Sequence, residues 1–280
     1  ARHYVSNGGE RYWVTPAAPQ AIGTRVTLHL SEQFAQLADA DSVDEELSKY
    51  CALLNTPVHL NGTATPVNSL ELPWRTEHAE GSARYRRLCQ QVVETFEPHF
   101  DAVCTIPIVP LPGISDARGL LWIHDSATYG TSDNRNLSVF VRGMLVAEDA
   151  RDLLPTWAGW LGGIIESDVL TPTASRESLQ KDDHYERVCQ HIKHTLIDGL
   201  AELPSLDRPT WRRVLNRHNE ALLGAAICES QLFELLSDDL RLPTTEGDLT
   251  MPAILGRSGE RIHVSSGEQR GAEEIVFKAL

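Results

Sequence analysis

Leu137-Ser138-Val139-Phe140-Val141-Arg142-Gly143-Met144-Leu145-Val146 is the strongest strand sequence in the chain. Its β-branched and aromatic residues suit a pleated, half-buried surface. Gly119-Leu120-Leu121-Trp122-Ile123-His124 reads as a strand before it, and Ile164-Ile165-Glu166-Ser167 as a buried strand after it. Further upstream, Tyr12-Trp13-Val14 is β-prone and Gly23-Thr24-Arg25-Val26-Thr27-Leu28-His29-Leu30 alternates as a half-buried strand does. Residues 31 to 54 are rich in helix formers. Val58-His59-Leu60 reads as a short strand ended by an Asn61-Gly62 turn, and residues 83 to 97 as a helix. Pro107, Pro110 and Pro112 mark an irregular stretch. Downstream, helices are expected over 176–203 and 209–239, with a break from Pro204 to Pro209. Arg261-Ile262-His263-Val264 then reads as a strand, followed by a Ser265-Ser266-Gly267 turn and a final helix.

Strands mixed with helices, then a helical block, then a new strand-turn-helix unit predict an α/β protein. The expected architecture is a large α/β/α layered domain, a helical connector and the start of a second, smaller α/β/α subdomain. The boundaries fall at 1–30, a set of strands leading into the large domain; 31–180, the large domain; 181–240, the connector; and 241–280, the truncated small subdomain.

The chain has 280 residues, 41% of them apolar, enough for a substantial core. Its 25 basic and 39 acidic residues leave a net charge of -14. That balance argues against a nucleic-acid-binding surface, which needs clustered lysine and arginine. Cys51, Cys89, Cys104, Cys189 and Cys228 are scattered and odd in number, which fits a reducing, cytoplasmic setting. No apolar run is long enough to suggest a membrane span, and the first residues do not resemble a signal peptide. The chain starts at Ala1 and stops within an expected helix, as a domain cut from a longer protein would.

Thr173-Ala174-Ser175-Arg176-Glu177-Ser178-Leu179-Gln180 is the segment richest in chemical implication. Pro172 disfavours helix before it, Ser175 is a suitable N-cap and Glu177 complements a helix N-terminus. On that reading Arg176 and Gln180, at i and i+4, share a helix face. A guanidinium fork at a loop–helix junction suits a phosphate, or the charge that develops as one is transferred. From these residues alone, Arg176 reads first as a surface cation in an ordinary salt bridge.

The order of segments resembles the middle segment of the heat shock protein 90 family of molecular chaperones, in its bacterial HtpG-type form. Four stretches carry the resemblance. The first is Gly23 to Leu30, with Lys49-Tyr50 and Pro57-Val58 at a distance. The second is Leu120-Leu121-Trp122-Ile123, then Asn134-Arg135 and Leu137 to Arg142. The third is Glu148-Asp149-Ala150 with Leu154-Pro155, then Gly163 to Asp168, Ser175-Arg176-Glu177 and Leu179-Gln180. The fourth is Ile262 to Glu268. His124 stands where the family usually has proline, Thr173-Ala174 replaces Asn-Val or Asn-Ile, and residues 61 to 118 match poorly.

The resemblance implies that residues 1–30 are the last strands of an N-terminal nucleotide domain. It further implies that ATP and Mg are bound mainly by that domain, and that no cofactor belongs to this segment alone. Arg176 would contact the γ-phosphate, with Gln180 supporting it. Partners implied are unfolded client proteins and a second copy joined through a C-terminal domain. The alternative is a non-enzymatic scaffold of the same fold in which Arg176 is a structural cation. Trp157 and Trp160, near Leu153, Leu154 and Leu161, read either as a client-binding patch or as core; Trp74, in an irregular region, is the better candidate for a partly exposed contact. His184, Cys189, His191 and His194 gather on one expected helix, but Cys189 does not share a face with both His191 and His194, so no metal site is expected. His124 and Asp125 are adjacent, and on a strand would point to opposite faces.

Overall fold

β-prone residues on either side of a Gly8-Gly9 turn zip into an antiparallel hairpin, β1 (Arg2–Ser6) with β2 (Tyr12–Pro16), on which Tyr4 and Tyr12 stack. The computed structural model describes residues 1–77, 81–126, 133–175, 178–259 and 261–264. They divide into two units, Ala1–Val43 and Asp44–Leu280. In the first, every residue from 1 to 41 is exposed. The strand expected over 23–30 does not form there, since alternation becomes a strand only beside a partner edge. A 3-10 helix (Glu32–Ala38) follows, and α1 (Ala40–Tyr50) runs across the boundary.

The second unit is built on a five-stranded mixed sheet. α2 (Ala83–Phe96) starts at Ser82, whose hydroxyl accepts from the Tyr85 N–H. The strands are β3 (Ala102–Ile108), β4 (Arg118–His124), β5 (Asn136–Val141), β6 (Met144–Ala147) and β7 (Leu161–Ser167), in the order β3-β4-β7-β5-β6. Only β5 and β7 are parallel; the other pairs are antiparallel. β7 is the central strand and all of its residues are buried. β3 was expected to be irregular because of Pro107. It is an edge strand, where a missing N–H is tolerated.

The run 137–146 is two strands. Arg142 and Gly143 both take positive φ, 53° and 81°, and form the two-residue turn that joins β5 to β6. Gly143 is needed twice over, because a Cβ there would lie 2.7 Å from the Leu53 carbonyl oxygen. Val58-His59-Leu60 is not a strand. Asn68 instead ties this segment down, accepting from Val58 N–H and donating to the Leu54 and Thr56 carbonyls. The Asn61-Gly62 turn forms as expected.

Alternate residues of the strands face two cores. Leu121, Ile123, Val139 and Ile165 pack beneath α3 (Asp183–Leu206), α4 (Arg208–Cys228) and α5 (Ser230–Leu236). Leu120, Trp122, Phe140 and Ile164 pack against α2 and the segment around Leu53 and Leu72. This is an α/β/α layering. α3 starts at Asp183 rather than Arg176, because Asp182 caps it by accepting from His184 N–H and Tyr185 N–H. Pro204 lies inside the last turns of α3. The break is Asp207 alone, which ends α3 and caps α4 through Thr210.

After α5 a second hairpin, β8 (Arg241–Thr244) with β9 (Gly247–Thr250), leads into α6 (Met251–Ser258). Residues 256–258 close that helix, with Gly259 at positive φ beyond it. Residues 261–264 form no strand, and the turn and helix expected after them lie outside the described residues.

Candidate functional site

The site is built where β7 ends. Glu166 is 2% exposed and sits opposite Arg118 across the β4–β7 ladder. It accepts from Arg118 Nε at 3.1 Å, Arg75 Nε at 3.1 Å and Trp74 Nε1 at 3.2 Å, with a further ion pair to Arg75 Nη2. Burial pushes its carboxyl up, but these donors outweigh it and hold the group below the ordinary glutamate value. Arg75 also donates to the Leu53 carbonyl, and Arg118 to Asp168. Two cations and an indole therefore fix the residue just before the chain leaves the sheet.

Of the residues that follow, 171–173 and 178–180 pair across from each other instead of starting a helix. Thr173 N–H donates to the Ser178 carbonyl and Gln180 N–H to the Thr171 carbonyl, each at 2.8 Å, and Pro172 and Leu179 form a bridge. Gln180 Nε2 donates to the Pro172 carbonyl at 3.0 Å. Thr173 Oγ1 lies 3.1 Å from both Ser175 Oγ and Ser178 Oγ. Gln180 thus lies ahead of α3, because these cross-strand bonds and the Asp182 cap satisfy the backbone there without a helical turn. Gln180 closes the stem of the loop. Arg176 and Glu177 lie outside the described residues.

Beside this loop runs an open groove of about 360 Å³, lined by residues 110–116 on one side and by Val169, Leu170, His184, Arg187 and Val188 on the other. Leu111, Ile114 and Val169 expose apolar surface around it.

The three tryptophans do not form one surface. Trp160 is fully buried, its ring stacked on His218, so of the two readings offered for it the core one holds. The flat ring fills the space between the sheet and α4, where its area contributes most by leaving water. Trp157 is half-buried against the same core. Trp74 is half-buried on the other face of the sheet and is held by its bond to Glu166.

A second polar cluster lies under α2. Glu97 accepts from Trp122 Nε1 at 2.6 Å and pairs with His124 Nε2 at 2.7 Å; His124 is wholly buried and stacks on Phe100. Burial raises the Glu97 carboxyl, and the His124 and Trp122 hydrogen bonds bring it below its ordinary value. A Cβ on Gly162 would lie 2.1 Å from Trp122 Nε1, so glycine is required where this cluster crosses β7. Asp125 turns away and pairs with Arg213 and Arg217 of α4. On α3, His184 Nδ1 meets Arg187, His194 Nδ1 meets the Gln190 carbonyl, and His191 is buried. Among the described residues no three His, Cys, Asp or Glu side chains gather as a metal site, and no helix is long and apolar enough to cross a membrane.

Sequence reasoning missed Arg75, Asp116, Arg118 and Glu166. The one readable signal was the opposite charge of Arg118 and Glu166 at the ends of two expected strands.

The model of the family described as Hsp90 protein matches residues 118–249, from β4 through the α3–α5 block to β9. Among curated relatives, the chaperone protein HtpG of Chlorobaculum tepidum is 23% identical, over 95% of this chain and 44% of its own length. HtpG of Rhodopseudomonas palustris is 22% identical, over 88% of this chain and 41% of the relative. HtpG of Geobacter metallireducens is also 22% identical, over 98% and 45%. The chain thus spans less than half the length of these relatives, and the stretch that follows β7 lies inside the matched region.

Proposed function

We propose that this chain is the middle segment of an ATP-dependent, HtpG-type molecular chaperone that works on unfolded client proteins in the cytoplasm as a homodimer. The observation that carries the reading is the match of nearly the whole chain to HtpG chaperones, with the Arg176 loop within the family region. ATP and Mg²⁺ belong mainly to an N-terminal domain, which supplies the phosphoryl group and its metal.

This segment then contributes the Arg176 guanidinium at the γ-phosphate. There it balances the charge spread over the transferring group, an electrostatic role worth about 10³ to 10⁵ in rate for arginines of this type. Gln180 supports the loop by closing its stem onto Thr171 and Pro172. Trp74, partly exposed beside Glu166, and Trp157 are the proposed client contacts that remain reachable.

In the full-length protein, Arg176→Ala should lower kcat for ATP hydrolysis by about 10³ and leave nucleotide affinity unchanged. Steady-state ATPase and nucleotide titration check this. A loss of affinity equal to the loss of rate would make Arg176 a ground-state binder and overturn the divided transition-state site.

A further inference from the structure

β4 and β7 pair with Arg118 opposite Glu166, and the ladder stops there. Continuing that register sets Asp116 opposite Asp168, and at this point a side chain takes over from the backbone. Asp116 Oδ1 accepts from Ser167 Oγ at 2.7 Å, and its Oδ2 accepts from Asp168 N–H at 2.6 Å and Val169 N–H at 3.2 Å. Ser167, wholly buried, passes the anchorage on, its hydroxyl accepting from Val169 N–H and Leu170 N–H at 3.1 Å each. Three successive N–H groups leaving β7 are thus satisfied by two side chains. A carboxylate bonding to N–H donors is stronger than a neutral acceptor, and its geometry fixes the direction of the chain.

From these contacts we infer that Asp116 is a positioning residue for the 168–180 loop, setting the angle at which the loop leaves the sheet; the inference rests on the ATPase reading above. Asp116 itself lies on a different strand lead-in, part-buried, at the edge of the 110–116 groove wall. It touches no substrate in this account. It acts through the loop stem, whose other end is closed by Gln180 and the Asp182 cap. Removing the carboxylate leaves the Asp168 N–H and the Ser167 hydroxyl without this acceptor, and the loop is then free to leave β7 in another direction. Displacing a catalytic group by about 1 Å can cost on the order of a hundredfold in rate.

The test is a mutant cycle in the full-length protein, with kcat referred to the concentration of nucleotide-binding sites so that unfolded protein does not count. Asp116→Ala should lower kcat at least tenfold, roughly, without changing the KM for ATP. Asp116→Asn, which keeps one carbonyl acceptor, should recover most of the rate and serves as the folded variant if alanine is not tolerated. In an Arg176→Ala background, Asp116→Ala should cost nothing further, because the group it positions is gone. Unchanged kcat in both Asp116 variants, or losses that multiply with Arg176→Ala, would overturn the inference. Full activity of Arg176→Ala itself would instead overturn the arginine reading on which it rests.

Discussion

Two buried carboxylates, Glu97 and Glu166, stay charged inside the protein because each has several donors around it. Both are held below the ordinary glutamate value despite the opposing effect of burial. The sign of the consequence follows by linkage. A depressed folded-state value contributes stability above the unfolded value, about 4.3, and that stability is lost as pH falls through the folded value. The contribution of these two carboxylates to the urea midpoint should therefore be constant from neutrality to about pH 5 and fall below about pH 4. Glu166→Gln should flatten that acid slope and cost about 3 kcal/mol at pH 7, by leaving Arg75 and Arg118 without their shared anion. An acid slope unchanged in Glu166→Gln would show that this carboxylate carries none of the pH dependence. Glu97 was not legible as an ion-pair centre from sequence, and Glu166 only through the opposite charge of Arg118. The partners of Glu166 come from positions 74, 75 and 118, and those of Glu97 from 122 and 124, and only the assembled sheet brings them together.

At the scale of elements, the apolar pattern located strands better than it divided them. Residues 137–146 read as one strand because Arg142-Gly143 interrupts the apolar run for only two residues. The turn depends on glycine at φ 81° with the Leu53 carbonyl behind it. Gly143→Ala should destabilise the protein by about 2 kcal/mol. In the second unit this corresponds to a fall of roughly 5 °C in melting temperature. Gly224→Ala, in α4 with open space around its Cα, should be neutral or slightly stabilising and serves as the control. Equal melting temperatures for the two variants would deny Gly143 its special role. The start of α3 was misplaced for a related reason. Ser175 and Asp182 are both good caps by residue type, and the cross-loop bonds of Thr171, Thr173 and Ser178 decide for Asp182.

For the whole molecule, the divided-site reading makes a simple demand. Purified residues 1–280 should neither bind ATP nor hydrolyse it above background, by calorimetric titration and phosphate release, because this segment contributes one cation rather than a nucleotide pocket. Appreciable turnover by the isolated chain would end the divided-site proposal. The sequence by itself determined the α/β class, the strands around 119–124 and 164–167, the helix at 83–97 and the family resemblance. These rest on local periodicity and on the order of motifs, and both survive in one dimension. Tertiary structure alone decided that Pro107 sits on an edge strand, that Trp160 is core, that Gln180 closes a loop instead of lining a helix, and that Asp116 holds the end of β7. For Trp160 and Asp116 the deciding contacts join residues far apart in sequence, while for Gln180 they cross eight or nine residues. A hydrogen-bonding group satisfied by a distant partner leaves no mark on its own neighbourhood in the chain.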